Sequence, residues 1–153
     1  MNSRILAAYL TECLGELDRA ILHLEYSANV CSELPQTEFP NTEEALARIE
    51  AFTSRFARVV DIMSKRVLRA IDQFEMYEAG TLLDVANRAE KRGLIDSVDW
   101  LRELKDTRNR ISHDYAGDRL PEIFSYCRQE LPQLLMTCKR IREYGDRLIP
   151  LPE

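Results

Sequence analysis

A chain of 153 residues falls within the roughly 100–200 residues of one domain, and residues 1–153 read as a single helical domain. With 45% hydrophobic and 31% charged residues, it has the composition of a folded globular protein, not a disordered one. A formal net charge of −5 excludes the broad basic face that coats duplex DNA. No DNA partner is therefore expected, and any anionic ligand must be held by a local cluster.

The first predicted helix opens at Asn2 or Ser3, both good N-caps, and runs to about Glu33. Leu6, Leu10, Cys13, Leu17, Ala20, Leu24 and Cys31 repeat at 3-4 spacing, the seam of a helix with one buried face. Residues 35 to 40, "PQTEFP", break it with two prolines. Asn41 is the expected cap of a long second helix, with Glu44 three residues on as a capping box. Its seam is Ile49, Phe52, Phe56, Val60, Met63, Val67, Ala70 and Phe74, and its expected end is near Gly80. A short third helix fits Thr81 to Arg92, with Gly93 as its stop. A fourth starts at Asp96 or Ser97 and is read to about Gly117. Pro121 suits the first turn of a fifth, whose seam is Phe124, Cys127, Leu131, Leu134, Cys138, Ile141 and Leu148. Pro132 is expected to kink that helix or split it in two. Long helices joined by short turns, with no strand pattern and no repeat, predict an all-α fold: an up-and-down bundle of about five helices.

Cysteines 13, 31, 127 and 138 lack C-x-x-C spacing and sit on the apolar seams, which reads as core thiols in a reducing compartment. Two histidines and no cysteine cluster leave no expected transition-metal site, and no cofactor motif is present. The first residues have no basic segment leading into an apolar run, so no secretory leader is expected. No stretch approaches the ~18 apolar residues of a membrane span, so neither membrane insertion nor membrane partners are expected. Together these readings predict a cytoplasmic protein. Trp100 and the tyrosines at 9, 26, 77, 126 and 144 read as core or half-exposed packing, and His23 as structural or solvated.

"DTRNRISHDY", residues 106 to 115, departs from this plain pattern. Read as one helix, Leu101, Leu104, Arg108, Ile111 and Tyr115 form a stripe, which writes a guanidinium into a core-facing row. Arg108 either pairs with a carboxylate of another helix or lines a cleft where its fork grips phosphate. His113 favours chemistry, because imidazole gives or takes a proton near neutral pH. A histidine as general acid or base and an arginine stabilising charge on phosphorus are a minimal kit for cutting RNA without metal. Five residues along a regular helix separate the two side chains by about 140°, whereas Arg108 and Tyr115 lie within about 20°. Either the helix distorts here, or two copies of the motif meet across a dimer axis.

"RNRISHDY" carries Arg108, Asn109, His113 and Tyr115 as R-N-x-x-x-H-x-Y. This resembles the motif of the HEPN superfamily (higher eukaryotes and prokaryotes nucleotide-binding), R-x4-6-H with a polar residue after the arginine. The tyrosine two past the histidine is similar to the toxins of the minimal nucleotidyltransferase/HEPN toxin–antitoxin pairs. So are "GTLLDVANRAEKRGLIDSVDWLRELKDTRN" and "LPEIFSYCRQELPQLLMTCKRI", and the resemblance covers nearly the whole chain. It implies a HEPN-like four-helix core and a homodimer with both motifs in a shared groove. It also implies a metal-independent endoribonuclease, without cofactors, acting on RNA. Arg108 and His113 are then catalytic, Asn109 supports them, and a cognate nucleotidyltransferase antitoxin silences the toxin by adding AMP to Tyr115.

Two rival readings remain open. In one, the chain is a non-catalytic nucleotide- or substrate-binding subunit of a small nucleotidyltransferase. In the other, it is a structural bundle in which Arg108 only makes a buried ion pair. The complete motif tilts the reading to the nuclease.

Overall fold

The computed structural model describes residues 2–35 and 38–150; Gln36 and Thr37 of the proline-flanked break lie outside them. The architecture is all-helical: α1 (Ser3–Cys31), α2 (Glu43–Asp61), a π-helical segment (Ile62–Val67), α3 (Leu68–Phe74), α4 (Leu82–Lys91), α5 (Val98–His113) and α6 (Leu120–Leu148). The π segment runs without a break from α2 into α3, so the three form one rod and the chain builds five helices in space. Four long rods make the bundle. α1 packs on the α2–α3 rod and on α6, and α2 also meets α5 and α6. Short α4 bridges α3 and α5.

The expected seams form the core. Leu10, Cys13, Leu17 and Leu24 of α1 meet Ile49, Phe52, Phe56 and Val60 of α2, all essentially sealed from water. Leu101 and Leu104 of α5 join them with Cys127, Leu134, Cys138 and Ile141 of α6. All four cysteines are free and buried, and burial pushes the Cys138 thiol up to about 12, so it stays protonated as a small apolar group. Trp100 is buried with its indole N–H donating to Glu130 at 3.2 Å. Tyr77 is half-exposed and packs against Arg88 and Arg92, Tyr26 is mostly exposed, and His23 faces solvent. Gly145 of α6 rides directly on Leu14 of α1, where an added Cβ would stand 2.8 Å from a Leu14 methyl. Among the described residues, no helix is long and apolar enough to cross a membrane.

The helix ends follow local chemistry, in places differently from expectation. Asn2, Thr81 and Ser97 cap as predicted, each accepting a backbone N–H of the following turn. For α2 the cap is Thr42, not Asn41; its hydroxyl accepts from the Ala45 N–H. The α2–α3 rod stops at Phe74, well short of Gly80. The Tyr77 N–H bonds the Asp72 carbonyl and the Met76 N–H that of Gln73, a Schellman closure with Met76 at φ 67 in the place glycine usually takes. α4 closes the same way with Gly93 there, at φ 76. α5 ends at His113, before Gly117. Pro132 does not split α6, which runs through it as one helix. It lies on the solvent face, where the carbonyl left without its usual amide partner can bond water.

Candidate active site

α5 starts at the Ser97 cap and delivers Trp100, Leu101, Leu104, Lys105 and Thr107 to the interior, with Arg108 next on the same side. Arg108 is not sealed in. About a quarter of its side chain (26%) is exposed, and it lines an open cleft of about 380 Å³ between α2 and α5. Ser54, Ala57, Arg58, Asp61, Ile62, Ile111 and Ser112 complete the walls.

Asp61, the last residue of α2, takes Arg108 Nε on one carboxylate oxygen at 2.7 Å and Lys105 Nζ on the other at 2.9 Å. Lys65 stands a looser 3.7 Å away. Arg108 Nη1 donates to Ser112 Oγ at 2.8 Å, one turn further along α5. Burial works against the Asp61 charge. Hydrogen bonds from Lys105 and Arg108 outweigh it and hold the carboxyl below the usual carboxylate range. Burial pulls the Lys105 amine below its ordinary value despite the same bond. Arg58 makes no ion pair among the described residues. Three cations therefore reach one carboxylate, and Arg58 lines the same cleft, in a chain of net charge −5, the kind of local concentration an anionic ligand requires.

His113 is the last residue of α5 and is exposed. Asp114 leaves helical geometry and Gly117, at φ 75, turns the chain toward α6. Tyr115 sits in that turn, 89% exposed, its ring edge-on to the His113 imidazole at 6.2 Å between centroids. Asn109 is exposed and makes no side-chain hydrogen bond among the described residues.

The four motif residues thus fall into two groups. Arg108 joins Asp61, Lys105 and Ser112 at the cleft, while His113 joins Tyr115 at the end of the helix. The expected placement of Tyr115 on Arg108's face is corrected. That relation assumed an unbroken helix, and the helix stops two residues before Tyr115. The alternative of a distorted α5 also fails, because α5 stays α-helical through His113 and the irregular turn lies in the neighbouring rod. Within one chain, Arg108 and His113 keep the roughly 140° separation of five helical residues. The ion pair of the structural reading is present too, but its arginine lines an open cleft.

Asp61, Lys105, Ser112 and Arg58 were missed by the sequence reading. Asp61 had a signal: it interrupts the apolar run of "VVDIM", where an aspartate needs a partner. A larger cavity, about 580 Å³, lies between the C-terminal end of α1 and the N-terminal part of α6 and holds none of the motif residues. Chemistry, not volume, therefore selects the α2–α5 cleft. No protein-family model matches the chain, and neither does any curated protein or solved structure.

Proposed function

We propose that the chain is a metal-independent endoribonuclease acting as a homodimer in the cytoplasm. It is the toxin of a pair whose antitoxin is a minimal nucleotidyltransferase. The observation that carries this reading is the state of Arg108: its guanidinium stands at an open cleft among further cations, one helical end away from an exposed histidine and tyrosine. In the reaction, His113 takes the proton of a ribose 2′-hydroxyl as its oxygen attacks the adjacent phosphorus. A 2′-O–P bond forms, the P–O5′ bond breaks, and O5′ receives a proton from imidazolium. Arg108 compensates the charge that builds on the phosphoryl oxygens. Asn109, exposed beside Arg108, supports the substrate by hydrogen bonding.

The 140° separation makes a two-copy groove the natural arrangement: Arg108 of one copy then faces the phosphate whose neighbouring 2′-hydroxyl is deprotonated by His113 of the other. Tyr115 offers an exposed hydroxyl to the partner enzyme. Its oxygen attacks the α-phosphorus of a nucleoside triphosphate, pyrophosphate leaves, and the attached AMP covers the face of His113.

The test is purified protein with a mixed RNA pool in excess EDTA, beside a folded His113→Ala variant. Cleavage by the wild type alone is expected. Inactivity of both, with an intact mass free of AMP, points instead to a binding subunit of the nucleotidyltransferase.

A further inference from the structure

We propose that Asp61 is the positioning residue that aims Arg108 at the scissile phosphate. This rests on the nuclease reading and adds to it a residue from another helix. A guanidinium on a four-bond stem has many orientations in water, and a charge that wanders stabilises a transition state poorly. Arg108 is held at two points. Asp61 Oδ2 takes Nε at 2.7 Å and Ser112 Oγ takes Nη1 at 2.8 Å. Two grips on a planar group fix its plane, and Nη2 makes no bond among the described residues. The edge left over belongs to a side chain that lines the cleft. Lys105 completes the arrangement, since its bond to Oδ1 leaves Asp61 no second oxygen with which to draw Arg108 further inward.

The backbone supports the same assignment. The rod departs from α geometry at Ile62, the residue after Asp61, and at the far end of that segment the Leu68 N–H bonds the Met63 carbonyl, five residues back. Such a wide turn is rare and recurs at functional sites. Here it follows immediately on the carboxylate that reaches across to α5.

A purely structural Asp61 would tie α2 to α5 and nothing more, so the experiment separates the two roles. Asp61→Asn, checked by melting, is assayed on RNA in EDTA. The Arg108 Nε–Hε NMR resonance, assigned by its loss in Arg108→Lys, is followed in parallel. Expected are a displaced or exchange-broadened Arg108 signal and a kcat lowered on the order of 10–100-fold with a smaller rise in KM, the usual cost of misaimed machinery. If Asp61→Asn melts below the assay temperature, Asp61→Glu takes its place, with the carboxylate one methylene further out and the same expected direction. A folded variant that keeps wild-type kcat overturns the proposal.

The affinity for a 2′-O-methyl RNA, which cannot be cleaved, supplies a second readout. Asp61→Asn should weaken it in the wild-type background and add nothing to Arg108→Ala, because its effect runs through Arg108. An equal loss in both backgrounds also overturns the proposal. If the wild type cuts no RNA, the nuclease reading fails, and this cycle with the Arg108 resonance decides the role of Asp61 without it.

Discussion

Two places in this bundle set a carboxylate between cations from a neighbouring helix, and they do different things with it. In the knot between α3 and α4, Asp72 takes Arg92 at 2.7 Å and Arg88 at 3.1 Å, while Arg92 also reaches Glu75 at 2.9 Å. The Asp72 side chain is only 5% exposed, and the ring of Tyr77 lies against both guanidinium groups. Tyr144 adds its hydroxyl to Glu75 and its ring to Arg92. The centre is sealed: Arg92 is 10% exposed and its Nη2 is buried without a partner among the described residues, while Arg88 and Glu75 at the edge keep 24% and 29%. In the cleft between α2 and α5, Asp61 and Arg108 each keep about a quarter of their side chain exposed, 24% and 26%, and one guanidinium edge is unspent. The same chemical kit is closed off in the knot, where the central Asp72–Arg92 pair is shielded from solvent. In the cleft, an arginine of the same kit lines an opening.

The comparison can be broken by mutating each side. Arg108→Ala or His113→Ala should cut RNA cleavage by about 10²–10⁴-fold while the melting temperature changes little, as the cleft is partly wet. A large drop in Tm for Arg108→Ala would instead make the cleft a second knot. Asp72→Ala removes the carboxylate that Arg88 and Arg92 share, leaving buried Arg92 only Glu75, and should cost about 3–5 kcal/mol in a denaturant titration, with specific activity of the folded fraction retained. Gly145→Ala tests ordinary packing away from both: overpacking against Leu14 should cost about 1–3 kcal/mol.

The smallest effect is the most diagnostic of sign. The Asp61 carboxyl is depressed in the folded protein, so the stability it contributes is present above the unfolded value of roughly 3.9 and disappears as pH falls through the lower folded value. The stability difference between wild type and Asp61→Asn should therefore be flat from pH 8 to about 5 and shrink below about 4. A difference already fading between pH 7 and 6 would show that a group other than Asp61 governs the pairing.

The bundle was legible because its seams are strict. Leu10, Leu17, Ile49, Phe56 and Ile141 were assigned to the core from 3-4 spacing and are fully buried. Helix ends were less legible where two residues of equal capping ability adjoin, as Asn41 and Thr42 do. A methionine closing the α3 turn at positive φ was not legible either, since sequence reading expects glycine there. The site was half legible. Arg108, Asn109, His113 and Tyr115 stand out by residue type and spacing, whereas Asp61 lies 47 residues away on another helix and no local pattern links it to Arg108. The face of Tyr115 was misjudged because helical phase holds only while the helix does.

The central claim is that Arg108 and His113, turned apart on one helix, are brought together by a second copy of the chain. Mixing Arg108→Ala and His113→Ala proteins after partial denaturation and refolding tests it directly, with heterodimer formation followed by differential tags. If the two residues work across copies, the heterodimer has one complete site, and RNA cleavage in EDTA should rise well above that of either variant alone. Heterodimers that form and stay inactive, beside an active wild type, would contradict the account.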